Sequence, residues 1–128
     1  MRLLLDTHLL VWALSAPDKL GADVRRTLED PQHRVCFSAA SIWELAIKAA
    51  LGRADFQVSP EAVLAAALST GFAELPVRSA ATLRVAALPL HHRDPFDRLL
   101  VAQALTEPMA LYTADAALAP YSDLVVLI

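Results

Sequence analysis

Short apolar runs alternate with longer apolar or amphipathic stretches along the whole chain, the pattern of strands alternating with helices. Arg2 to Leu5 predicts a first strand, which leads through Asp6-Thr7 into an apolar helix carrying Leu9, Leu10, Trp12 and Ala13, closed by Pro17. Gly21 to Asp30 predicts a second helix, with Arg25-Arg26 and Glu29-Asp30 as its solvated face. Arg34 to Ser38 predicts a second strand, and Ser41 to Leu51 a third helix stopped by Gly52. A fourth helix is expected over Pro60 to Ser69, its proline near the first helical position, where the missing N–H is harmless. Phe72 to Val77 predicts a third strand, Ser79 to Leu88 a fifth helix and Pro89 to Pro95 a loop. Phe96 to Thr106 predicts a sixth helix, Ala110 to Thr113 a fourth strand and Leu124 to Ile128 a fifth. This alternation builds βαβ units, hence an α/β fold with a largely parallel sheet covered on both faces. Ligands in such folds bind beyond the carboxyl ends of the strands.

Composition narrows the class. A chain of 128 residues fits one domain, and 56% hydrophobic residues exclude disorder. The longest stretch without a charged residue, Ala62 to Ala73, has 12 residues, short of the roughly 18 needed to span a membrane. Charges at Arg2 and Asp6 come too early for a secretory signal, and the one cysteine, Cys36, fits a reducing cytoplasm. Three glycines leave no Gly-rich phosphate loop. The net charge of −3 weighs against a polyanionic partner. Bound divalent cations would reverse that sign locally, so nucleic acid stays possible only through metal or a basic rim.

The acids carry the candidate chemistry, and each has a plain structural role beside it. Asp6 follows the first strand directly and suits a helix N-cap. Ser41-Ile42-Trp43-Glu44 matches a capping box, and Lys48 offers Glu44 an ion pair one turn on. Asp94 suits the N-cap of the sixth helix, with Pro95 first and Asp97 third, where the helix dipole favours an anion. Asp115 follows the fourth strand and suits a turn cap. Capping requires no convergence, whereas these acids lie at strand ends and helix starts on one expected edge of the sheet. Gathered together they would raise one another's pKa values, a penalty that a hard dication such as Mg²⁺ or Mn²⁺ removes.

The runs Leu3-Leu4-Leu5-Asp6-Thr7-His8, Ser41 to Lys48, His92-Arg93-Asp94-Pro95-Phe96-Asp97-Arg98 continuing to Ala104, and Leu111-Tyr112-Thr113-Ala114-Asp115 resemble PIN-domain ribonuclease toxins of the VapC type over essentially the whole chain. The resemblance implies a three-layer α/β/α fold with a five-stranded parallel sheet in the order 3-2-1-4-5. It implies Mg²⁺- or Mn²⁺-dependent endoribonuclease activity, neutralised by a cognate protein antitoxin. It assigns the four family acids to Asp6, Glu44, Asp97 and Asp115, with Asp94 from the subgroup motif Asp-Pro-Phe-Asp.

On that basis Asp6, Asp97 and Asp115 are expected to hold metal, Glu44 a second ion or the attacking water, with Asp94 close by. Thr7 and Thr113 stand beside two of the acids, where either hydroxyl could position a carboxylate or an RNA phosphate, and Lys48, Arg93 and Arg98 are candidates for a basic rim that meets RNA. His91 and His92 read as plain surface residues, since no Cys or His stands at zinc-ligand spacing. Trp12, Trp43 and Phe96 read as core or partner-interface residues. Apolar helices over Leu9 to Leu14 and Ala62 to Leu68 suggest a homodimer and a groove for an antitoxin segment, whose arginine would fork onto the carboxylates. A phosphoacceptor receiver domain fits poorly, because Asp6 is followed by Thr7 and the only lysines are Lys19 and Lys48. A non-catalytic RNA-binding or scaffold protein of the same fold is the remaining alternative.

Overall fold

The computed structural model describes residues 1–52 and 58–128. Five strands form one parallel sheet: β1 (Arg2–Leu5), β2 (Arg34–Ser38), β3 (Ala73–Leu75), β4 (Ala110–Thr113) and β5 (Val125–Leu127), in the order β3-β2-β1-β4-β5. The helices are α1 (Thr7–Ser15), α2 (Ala22–Glu29), α3 (Ala39–Ala50), α4 (Pro60–Thr70), α5 (Ser79–Val85) and α6 (Pro95–Thr106). Two 3₁₀ segments, Pro17–Leu20 and Ala116–Tyr121, complete the set among the described residues.

The central strand shows why the layers form. Leu3, Leu4 and Leu5 are all fully buried, but alternate residues face opposite sides. Leu3 and Leu5 join Val35, Phe37, Leu9, Leu10, Leu45, Val63 and Ala67, so α1, α3 and α4 cover one face. Leu4 joins Cys36, Leu111, Leu100, Val101 and Ala104, so α6 covers the other. A strand buried on both faces is apolar at every position, which is what Leu3-Leu4-Leu5 shows. Helix α2 buries no residue, as its paired charges predict.

Element ends depart from the sequence reading in a few places. Helix α3 starts at Ala39 rather than Ser41, because the Ser38 hydroxyl accepts from the Ala40 N–H and caps it. Strand β3 is three residues long and α5 ends at Val85, both shorter than the apolar runs suggested. Asp94 caps α6 as expected, accepting from the N–H groups of Phe96 and Asp97. Helix α4 ends at Gly71, whose φ of 98° is the left-handed turn that favours glycine.

The strand order places β1 between β2 and β4, so the chain runs outward from β1 through β2 to β3 and then crosses back to β4 on the other side of β1. The crevice at the carboxyl ends of β1 and β4 lies at this reversal, and Asp6 and Asp115 follow those two strands. Leu4→Ala should lower unfolding free energy by about 2–5 kcal/mol in urea titrations, the range for deleting a fully buried leucine side chain. A loss below about 1 kcal/mol would mean that the α6 side of the sheet is not the packed layer described.

Candidate active site

Asp6 leaves β1 with its carboxylate turned back over the start of α1. Its Oδ1 accepts from the Leu9 N–H at 2.8 Å and its Oδ2 from the Thr113 hydroxyl at 2.6 Å. Thr113 ends β4 and its hydroxyl also accepts from the Asp115 N–H at 3.0 Å, so one buried side chain ties both strand-end acids together. Glu44 reaches the same place from α3. With Ser38 as the cap, Glu44 lies beyond the first turn, and the capping-box role suggested by Ser41 is not the one it takes. Its Oε1 accepts from the Thr7 hydroxyl at 2.7 Å, which is also 2.9 Å from the Ser41 hydroxyl. Its Oε2 pairs with Lys48 Nζ at 2.7 Å.

The third group comes from α6 and the loop before it. Asp94 is the cap, Asp97 lies in the first turn, and Asp115 caps the 3₁₀ segment through the Ala117 N–H. His92 Nε2 lies 2.9 Å from Asp115 Oδ2 and 3.1 Å from Asp97 Oδ2. Asp6, Glu44, Asp94, Asp97 and Asp115 all line one cavity of about 380 Å³, with Lys48, His8 and Trp12 also on its wall. Capping and convergence are therefore not alternatives here: the cap geometry of Asp6, Asp94 and Asp115 aims their carboxylates at a shared space.

The electrostatics follow from that crowding. Burial, then the carboxylates of Asp94, Asp6 and Glu44, push Asp97 up to about 7, while His92 acts the other way. Asp6 is also raised, chiefly by burial, although the bonds from Thr113 and Leu9 oppose the shift. Carboxylates so placed favour either protonation or a cation. The oxygens present also fit a hard dication: carboxylate oxygens of Asp97 and Asp115 lie within 4.8 Å of each other, with His92 Nε2 between them, and the other acids of the cavity offer more.

Several residues take places other than those expected. Of the two roles open to Thr7 and Thr113, the structure shows the first: both are buried and donate to carboxylates. Arg98 is withdrawn from the rim: its guanidinium donates to the carbonyls of Val85, Leu88, Pro89 and His92 and to the Tyr121 hydroxyl. It fastens the loop ahead of α6. Arg93 is exposed and Lys48 is on the cavity wall. His91 stacks edge-on against Tyr121, as a surface residue can, but His92 belongs to the acid cluster. The signal for it was its place at the head of the run His92 to Ala104, two residues ahead of the Asp94 cap. Trp12 packs against the core, whereas Trp43 is 59% exposed and meets Phe96 edge to face at 5.0 Å.

The PIN domain family matches residues 3–123. No curated protein matches the chain in sequence. Among solved structures, VapBC2 from Rickettsia felis, bound to a DNA fragment from its promoter, superposes with a TM-score of 0.73 at 18% identity, covering 100% of this chain and 98% of that one. VapBC-1 from nontypeable Haemophilus influenzae gives 0.59 at 21% identity, covering 90% and 87%. VapBC-5 from Mycobacterium tuberculosis, a member of the VapBC family of toxin–antitoxin systems, gives 0.55 at 21% identity, covering 99% and 97%. At these identities the likeness is one of fold.

The raised Asp97 makes a signed prediction for the metal-free protein. The folded state keeps this proton up to about pH 7, while the unfolded chain releases it near 3.8. The folded state therefore binds more protons across that window, and this group's contribution is most favourable at the acid end and lost as pH rises toward 7. Asp97→Asn removes the dependence. In chelator, the variant should melt above the parent at about pH 8, with the gap closing toward pH 4.5. A variant melting below the parent at pH 8 would contradict the crowding.

Proposed function

The chain belongs to the PIN domain family, and we propose that it is a divalent-metal-dependent endoribonuclease, the toxin of a toxin–antitoxin pair, working in the cytoplasm. The observation that carries this reading is the meeting of Asp6, Glu44, Asp94, Asp97 and Asp115 in one cavity. The toxin reading draws further support from the fold likeness to toxin–antitoxin proteins.

Asp97, Asp115 and Asp6 hold Mg²⁺ or Mn²⁺, and Glu44 and Asp94 complete the acidic wall. A bound dication supplies a more acidic water and charge neutralisation at a phosphoryl oxygen. The chain does the rest by placement. Thr113 and the Leu9 N–H fix both oxygens of Asp6, so its carboxylate does not turn as charge builds beside it. Thr7 and Lys48 do the same for Glu44. Lys48 also brings positive charge to the cavity wall, and exposed Arg93 sits one residue before the Asp94 cap. In a chain of net charge −3, these cations and the metal are what an RNA backbone meets. A cognate antitoxin keeps the site closed, and a homodimer belongs to the same reading.

Purified protein with Mg²⁺ or Mn²⁺ should cut RNA internally and leave 5′-phosphate and 3′-hydroxyl ends, the outcome of attack by water. Chelator should stop the reaction, and Asp97→Asn should slow it by roughly 100-fold or more with its circular dichroism unchanged. Cyclic 2′,3′-phosphate ends would contradict attack by water. Metal-loaded protein that cleaves no RNA in vitro and gives no new RNA 5′ ends on induction would favour a non-catalytic scaffold.

A further inference from the structure

His92 stands between two carboxylates that come from different elements, Asp97 from the first turn of α6 and Asp115 from beyond β4. A histidine among acids at this spacing has two opposite roles open to it: a nitrogen ligand to the same cation, or a donor that holds the acids in place. The other ring nitrogen separates them. His92 Nδ1 accepts from the Arg93 N–H at 2.9 Å and lies 3.4 Å from the Asp94 N–H. A backbone N–H can only donate, so Nδ1 offers its lone pair, and a proton there would face the Arg93 and Asp94 hydrogens. The ring proton therefore sits on Nε2, which points at Asp97 Oδ2 and Asp115 Oδ2.

We propose that His92 is a positioning residue, not a metal ligand: its Nε2–H is shared between Asp97 and Asp115 and sets the separation at which the two carboxylates meet a dication. The inference rests on the metal-site reading above and deepens it. The backbone holds the tautomer in place. The His92 N–H donates to the Tyr121 hydroxyl at 3.0 Å, and the Arg98 guanidinium reaches the His92 carbonyl and the same hydroxyl. The cap of α6 contributes too, since the Asp94 N–H that approaches Nδ1 belongs to the capping residue itself. Partners that orient ligating groups in this way typically matter by roughly 10–100-fold in metal affinity. The donor set is then oxygen throughout, which suits Mg²⁺ and Mn²⁺ and disfavours metals that seek nitrogen. The sharing also explains how two acids stay close before any cation arrives.

Two measurements test this on the intact protein, with Mn²⁺ as the metal probe. Long-range ¹H–¹⁵N correlation spectra should show His92 protonated at Nε2 and bare at Nδ1, both metal-free and with Mg²⁺ added. Electron spin-echo spectra of the Mn²⁺ complex should show no ¹⁴N coupling from an imidazole. His92→Ala should weaken Mn²⁺ binding by roughly 10–100-fold, and His92→Gln, whose amide can still donate, should recover part of that loss. A ¹⁴N coupling present in the parent and absent from His92→Ala, or a proton on Nδ1, overturns the proposal. So does unchanged Mn²⁺ affinity in a folded His92→Ala. If the parent itself binds no Mn²⁺, the metal-site reading fails instead, and the ring tautomer in the metal-free spectrum still reports on His92 separately.

Discussion

Negative charge brought together around one partly buried cavity is the condition around which this molecule is arranged. Like charges at such distances repel strongly where the dielectric is low, and the usual escape is a shifted pKa. Here the shift falls on Asp97, whose pKa is pushed up to about 7 by burial and by Asp94, Asp6 and Glu44. The side chains are held in place: Asp6, Asp94 and Asp115 by backbone or hydroxyl donors, Glu44 by the Thr7 hydroxyl and Lys48, and Asp97 by His92. The topology fixes the positions, and the stability of the two packed layers offsets the electrostatic cost.

The same residues serve the fold and the site. Asp6, Asp94 and Asp115 satisfy helix-start N–H groups that would otherwise lack a partner, and doing so directs their remaining oxygen lone pairs into the cavity. Thr7 and Thr113 extend the arrangement: each is buried, each ends or follows a strand at the reversal point, and each donates to an acid. Arg98 and Tyr121 brace the loop that carries His92 into the cluster. A change at any of these positions would act on the carboxylates without touching a substrate.

Much of this was legible in the sequence, for identifiable reasons. An unbroken apolar run such as Leu3-Leu4-Leu5 has few readings other than a strand buried on both faces. Asp94-Pro95-Phe96-Asp97 states a helix start outright, since aspartate caps and proline tolerates the first position. The five acids could be named as candidates because strand ends and helix starts map to one edge of a parallel sheet, while the strand order rested on the family likeness. What stayed hidden depends on three-dimensional partners. Ser38 and Ser41 are both able caps, and only the backbone path decides for Ser38. Nothing local distinguishes an arginine that meets a ligand from Arg98, whose partners lie along residues 85–92 and at Tyr121. His92 looked like surface because its two acidic neighbours include Asp115, distant in the chain.

Everything functional follows if the cavity is built to take a dication. Diffraction from crystals soaked in Mn²⁺, recorded at a wavelength where manganese scatters anomalously, locates the ion without assumption. The account predicts an anomalous peak inside the cavity, within coordination distance of carboxylate oxygens from Asp97 and Asp115. An ion bound elsewhere on the surface, with the cavity holding only ordered water, would contradict it.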